Sequence, residues 1–78
     1  MNAASLVAVA KAVSAMFAIA LSAWATAYAQ SKIGAAGAGA MAEKPEVAGT
    51  VFILVAIPET MVVLGFAIAL MIMILVEV

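Results

Sequence analysis

The stretch AEKPE, residues 42 to 46, divides the chain into two apolar runs, each long enough to cross a bilayer, and no other feature restricts the fold so severely. It holds three charged side chains, Glu43, Lys44 and Glu46, together with Pro45, which suits the first turn of a new helix. Before it, residues 3 to 42 read as one helix, rich in alanine and free of proline, with Lys11, Gln30 and Lys32 as its strongly polar members. At about 1.5 Å per residue that helix is about 60 Å long against ~30 Å of bilayer hydrocarbon, so it tilts or protrudes. After the break, residues 47 to 77 read as a second helix, interrupted by Thr50, Pro58, Glu59 and Thr60. The fold class expected is an all-α membrane protein, one transmembrane antiparallel hairpin over residues 1–78 with its loop at 43–46. Irregular backbone inside lipid would leave polar groups unpaired, which leaves helices as the solution here.

Composition fixes the solvent. A chain of 78 residues that is 71% apolar and 9% charged, with a mean hydropathy of +1.39, lies far from soluble domains, which are about half apolar and a quarter charged. The net charge of −1 is spread along the chain, with no basic block to bind nucleic acid. There is no cysteine and no histidine. Disulfides, iron–sulfur clusters, thiolate nucleophiles and the usual zinc sites are thereby excluded, and no cofactor or resident metal is expected. The N-terminal run imitates a secretory signal peptide, ending in Ala27-Tyr28-Ala29 like a cleavage site. Its first charge, Lys11, comes only after ten residues, so the segment is expected to stay as the first membrane helix.

Within the second run, Glu59 follows Pro58 directly. A charged side chain near the centre of a membrane helix costs roughly 2.5 to 3.5 kcal/mol on insertion scales, so such an acid is a candidate functional site. Proline has no amide hydrogen, so the carbonyl of Leu54 loses its helical partner and the helix is expected to bend just before the acid. Counting outward from Lys44 places Gln30 and Glu59 at nearly the same depth, and Lys11 level with Glu77. The Gln30 amide and the Thr60 hydroxyl are candidates to hydrogen-bond a neutral Glu59; Thr60 could instead bond back to its own helix. Apolar surroundings favour the protonated form of a carboxyl group, since the charged form loses its hydration.

The small residues carry a second signal. Ala23, Ala25, Ala27 and Ala29 alternate up to Gln30, and Gly34, Gly37 and Gly39 follow. Small residues let membrane helices approach closely, as in an ordinary small-xxx-small dimer seam, but these cover more than one face, as a closed ring of identical hairpins requires. Trp24 and Tyr28 lie toward mid-helix and are expected at the inner surface of such a ring or between its subunits. Lys32 is placed to snorkel toward the interface nearer the loop.

A small-residue first helix with Gln30, then the loop AEKPE, then IPET at 57–60, in this order and spacing, resembles the proteolipid ring component, the c or K subunit, of rotary ATP synthases. The intervals from Gln30 to Pro45 and from Pro45 to Glu59, and the segment QSKIGAAGAGAMAEKPE, are similar to the archaeal-type (A-type, V/A-type) members. One departure is that alanines stand where the family usually alternates glycines before the glutamine.

The resemblance implies a non-catalytic subunit without ATP-binding residues, which carries H⁺ or Na⁺ across the membrane on Glu59 as a ring of identical copies turns. It further implies a stator membrane subunit that presents an arginine, and a central rotor stalk touched by the loop Glu43, Lys44 and Glu46. The setting implied is the plasma membrane of a bacterium or archaeon, with the loop cytoplasmic. Sodium-binding members surround the ion with oxygens, and Gln30, Glu59, Thr60 and the Ile57 carbonyl fill four such places. The fifth, commonly a tyrosine that braces the acid, is Leu64 here. A desolvated hard cation needs nearly its whole oxygen shell, which favours H⁺ over Na⁺. The other function class is a small proton-coupled multidrug exporter or an oligomeric channel, although exporters of that kind place the acid in the first helix among aromatic residues.

Overall fold

The first helix, α1, starts where Asn2 caps it: the Asn2 side chain accepts the Ser5 N–H at 2.8 Å, satisfying one of the amides that a helix start leaves open. In the computed structural model, which describes residues 1–77, α1 runs as Ala3–Glu43. It passes through Ala27-Tyr28-Ala29 without a break. Lys44 leaves the helical region, with φ −144° and ψ 83°, while its N–H still closes the last turn on the Ala40 carbonyl at 2.8 Å. A single 3₁₀ turn, Pro45–Val47, then reverses the chain with the proline at its first position.

The returning arm is two helices, α2 (Ala48–Ala56) and α3 (Glu59–Leu75). Pro58 separates them. Ahead of it Ile57 N–H still reaches the Ile53 carbonyl, at 3.1 Å, but beyond it the backbone changes to shorter steps: Thr60 N–H to the Ile57 carbonyl at 3.1 Å and Met61 N–H to the Pro58 carbonyl at 3.0 Å. Regular helical bonding is therefore interrupted at Ile57–Pro58 and resumes at Glu59.

The two arms lie antiparallel in a hairpin 61 Å long and 18 × 7 Å across. The seam between them is built from small residues. Ala15, Thr26 and Gly37 are buried on α1, at steps of eleven residues, and face Val51, Pro58, Gly65 and Ala69 on the returning arm. Gly37 packs on the Val51 side chain, and Gly65 packs on Ser22, where an added Cβ would fall 2.6 Å from Ser22 Cβ and 2.9 Å from the Ala18 carbonyl oxygen. In lipid there is no hydrophobic drive between helices, so this close approach and the resulting dispersion contacts hold the hairpin. The pairs Gly37–Val51, Ser22–Gly65 and Lys11–Val76 stand at matching separations from Lys44, so the register holds from the loop to the far end.

The outside of the hairpin is apolar and open. Trp24 is 72% exposed, Phe52 67% and Phe66 57%. A surface of this kind belongs against lipid or neighbouring copies rather than water.

Candidate functional site

The site forms where the proline break of the returning arm meets the middle of α1. Gln30 sits on the seam face of α1, half-buried, and its Nε2 donates both to Glu59 Oε2 at 2.8 Å and to the Val55 carbonyl at 3.2 Å. One amide thus joins the segment before the break to the acid after it. One turn earlier on α1, the Thr26 hydroxyl donates to the Pro58 carbonyl at 2.9 Å. The break exposes backbone carbonyls, and α1 answers with side-chain donors at the same level.

Thr60 takes the second of the two roles open to it. Its hydroxyl donates to the Ile57 carbonyl at 2.8 Å, on its own arm, and so is not spent on the Glu59 carboxyl. Thr60 and the Ile57 carbonyl are therefore in contact with each other beside Glu59. Glu59, expected to be buried, is exposed on the hairpin. The physical reason is geometric: two helices offer a carboxyl group one wall, here the Gln30 amide, and leave the opposite side open. That open side is a groove of about 510 Å³ lined by Ala56, Glu59, Thr60, Val63 and Leu64. Apart from Glu59 and Thr60 its lining is aliphatic.

The small residues separate into two groups. Gly37 is buried against Val51 inside the hairpin, so its lack of a side chain serves the contact between the arms. Around Gly34 and Gly39 nothing lies within 4 Å of where a Cβ would be, and Ala23, Ala25 and Ala27 are exposed with Ala29 half-buried. These positions are open to a neighbour. Trp24 and Tyr28 are exposed, and Lys32 Nζ lies 5.4 Å from the centre of the Tyr28 ring, a cation–π distance. At the far end Lys11 Nζ donates to the Val76 carbonyl at 3.0 Å, one residue short of Glu77. The loop residues Glu43, Lys44 and Glu46 are exposed. Among the described residues no cluster of three or more Asp, Glu, His or Cys side chains forms a metal site.

Two helical segments, Ala3–Glu43 and Pro45–Leu75, are long and apolar enough to cross a membrane. The family model for the C subunit of ATP synthase matches residues 13–72, a span that takes in most of both arms, the loop and every residue of the site. The chain belongs to this family. No curated protein and no solved structure matches it. As a member of the family it is an integral membrane proteolipid of the ion-translocating ring of an ATP synthase, a ring of identical copies that works with the other subunits of that enzyme. The exporter and channel readings receive no support from this match.

Thr26 is the site residue that sequence reasoning passed over. Its signal was available: it precedes Gln30 by four residues and so shares its face of α1. Its acceptor, the backbone carbonyl of Pro58 itself, has no signature of its own in side-chain composition.

Proposed function

We propose that this chain is the ion-carrying c (K) subunit of an A-type rotary ATP synthase or ATPase, and that it carries H⁺ by protonation and release of Glu59. The observation that carries the reading is the 2.8 Å bond from Gln30 Nε2 to Glu59 Oε2 at a proline break within a membrane-length helix. With Oε2 accepting from Gln30, Oε1 is left to hold the proton on the groove side. A stator arginine brought to the open groove supplies the opposite charge that favours release. The membrane potential then contributes roughly 2.3 kcal/mol per charge per 100 mV.

Assembly follows the same division of surfaces. The seam small residues are used within the hairpin, while Ala23, Ala25, Ala27, Gly34 and Gly39 form the surface on which identical copies pack. The loop Glu43, Lys44 and Glu46 faces the central stalk on the cytoplasmic side of a bacterial or archaeal plasma membrane. The A-type assignment rests on the intervals between Gln30, Pro45 and Glu59.

For the ion, three features support H⁺ over Na⁺. Leu64 gives the groove an aliphatic wall, Thr60 is bonded to the Ile57 carbonyl, and Gln30 presents a donor nitrogen to the acid. A sodium ion would need those oxygens turned inward together. The test is labelling of the assembled ring by a hydrophobic carbodiimide, which reacts with protonated carboxyl groups in apolar settings. Label is expected at Glu59 and at none of Glu43, Glu46 or Glu77, at a rate set by pH alone. Label elsewhere would overturn the site, and protection of Glu59 by millimolar sodium would overturn the choice of ion.

A further inference from the structure

We infer that Thr26 is a positioning residue for ion transfer: its hydroxyl holds the Pro58 carbonyl and thereby fixes the peptide unit from which Glu59 is aimed at Gln30. This rests on the reading of Glu59 as ion carrier and deepens it. Thr26 is 3% exposed, and it is the buried polar side chain of the seam. A threonine inside a helix commonly satisfies its hydroxyl on its own backbone. Ser22, Ser31 and Thr60 do so, bonding to the carbonyls of Ala18, Tyr28 and Ile57. Thr26 instead reaches across the seam to a carbonyl 32 residues away, at 2.9 Å.

The acceptor matters. The Pro58 carbonyl carbon is bonded to the Glu59 nitrogen, so a hold on that oxygen is a hold on the plane of the Pro58–Glu59 peptide. The same oxygen also takes the Met61 N–H at 3.0 Å, which closes the first turn of α3. With the Leu54 carbonyl stripped of its helical donor by Pro58, the arm has lost a constraint at this point. Thr26 replaces it from outside the arm. Gln30, one turn along α1, grips the Val55 carbonyl on the other flank of the break and the Glu59 carboxyl itself. Two donors on one face of α1 thus straddle the break, one setting the peptide plane and the other reading the carboxyl that departs from it.

The alternative is that the Thr26 bond merely holds the arms together. The two are separated by a double-mutant cycle in the complete ATP synthase in sealed vesicles, with Thr26→Val, Thr26→Ser, Gln30→Leu and the Thr26→Val/Gln30→Leu pair. Proton transport and the carbodiimide labelling rate of Glu59 are the two readouts. Thr26→Val, close to threonine in shape but without the hydroxyl, is expected to slow transport about two- to tenfold, the range of one hydrogen bond. Thr26→Ser, which keeps the donor, is expected to stay within about twofold of the native rate. In the Gln30→Leu background the valine change is expected to cost less than about twofold, since there is no amide left to aim at.

Native rates in Thr26→Val, or an equal loss with and without Gln30, would overturn the inference. So would loss of the ring in Thr26→Val and in the smaller Thr26→Ala alike, because the bond would then serve assembly. Failure of the underlying reading looks different: Glu59 of the native protein would go unlabelled, whatever stands at position 26.

Discussion

The two arms of the hairpin are both apolar and both long enough to span a membrane, yet one is a continuous helix of 41 residues and the other is broken after nine. The difference lies in what each arm offers the seam. α1 keeps its backbone bonds internal and presents side-chain donors, Thr26 and Gln30, from a straight scaffold of alanine and glycine. The returning arm, broken at Pro58, presents backbone acceptors, the carbonyls of Val55 and Pro58, and mounts its acid where helix resumes. A membrane interior supplies no water to backbone carbonyls at a helix break, and here the other arm carries polar side chains at the same depth that reach two of them. The polar residues of the two arms are halves of one arrangement.

The largest effect expected from breaking this division is at the acid. Glu59→Gln keeps the size and hydrogen bonding of the protonated form, so the hairpin and ring are expected to form while ion transport falls to background. Transport that survives would detach the function from the broken arm altogether.

Next come the close contacts between the arms. Gly65→Ala brings a methyl group onto Ser22 and the Ala18 carbonyl, and because backbone cannot yield as a side chain does, the arms have to separate. A loss of about 1–3 kcal/mol is expected, read as a lower thermal midpoint of the protein in detergent. Gly37→Ala meets only the Val51 side chain, so the added change Val51→Ala is expected to restore stability. Gly34→Ala and Gly39→Ala, with open space around them, are expected to leave the hairpin unchanged. Equal effects at all four glycines would show that the seam runs elsewhere.

A smaller effect is expected where the break itself is repaired. Pro58→Ala returns an amide to the Leu54 carbonyl and makes the returning arm more like α1. Hydrogen exchange at residues 57 to 61 should slow, while proton transport falls severalfold because the acid no longer follows a break in the helix. An exchange rate that does not change would mean that α1, through Gln30 and Thr26, holds the break without the proline. The smallest effect belongs to the far end. Lys11→Met removes the bond to the Val76 carbonyl, and exchange at residues 73 to 76 is expected to quicken with transport unaltered.

Much of this arrangement is legible along the chain. Apolar length and the charged break at 42–46 are one-dimensional properties, and so is the level of any residue in an antiparallel hairpin once its turn is known. Counting from Lys44 suffices to pair Gln30 with Glu59 because each helix advances by a fixed rise. The same count puts Lys11 level with Glu77, whereas its amine rests on the Val76 carbonyl, since a long flexible side chain selects its acceptor locally. Gly37 reads as one of a run of small residues, and only its azimuth on α1 separates it from Gly34 and Gly39. Azimuth over 40 residues depends on small departures from ideal twist, which accumulate along the helix.

What the sequence determined by itself, then, is the solvent, the hairpin and the depth of its polar residues, because burial in lipid is decided by composition over bilayer-length windows. The tertiary structure decided which hydroxyl crosses the seam and which stays home. Thr26 and Thr60 are alike in chemistry and both lie near the break, yet Thr26 bonds to Pro58 and Thr60 to Ile57. A hydroxyl has one proton to donate, and which carbonyl receives it is fixed by the rotation of each helix about its axis, a quantity that exists only once the two arms are packed together.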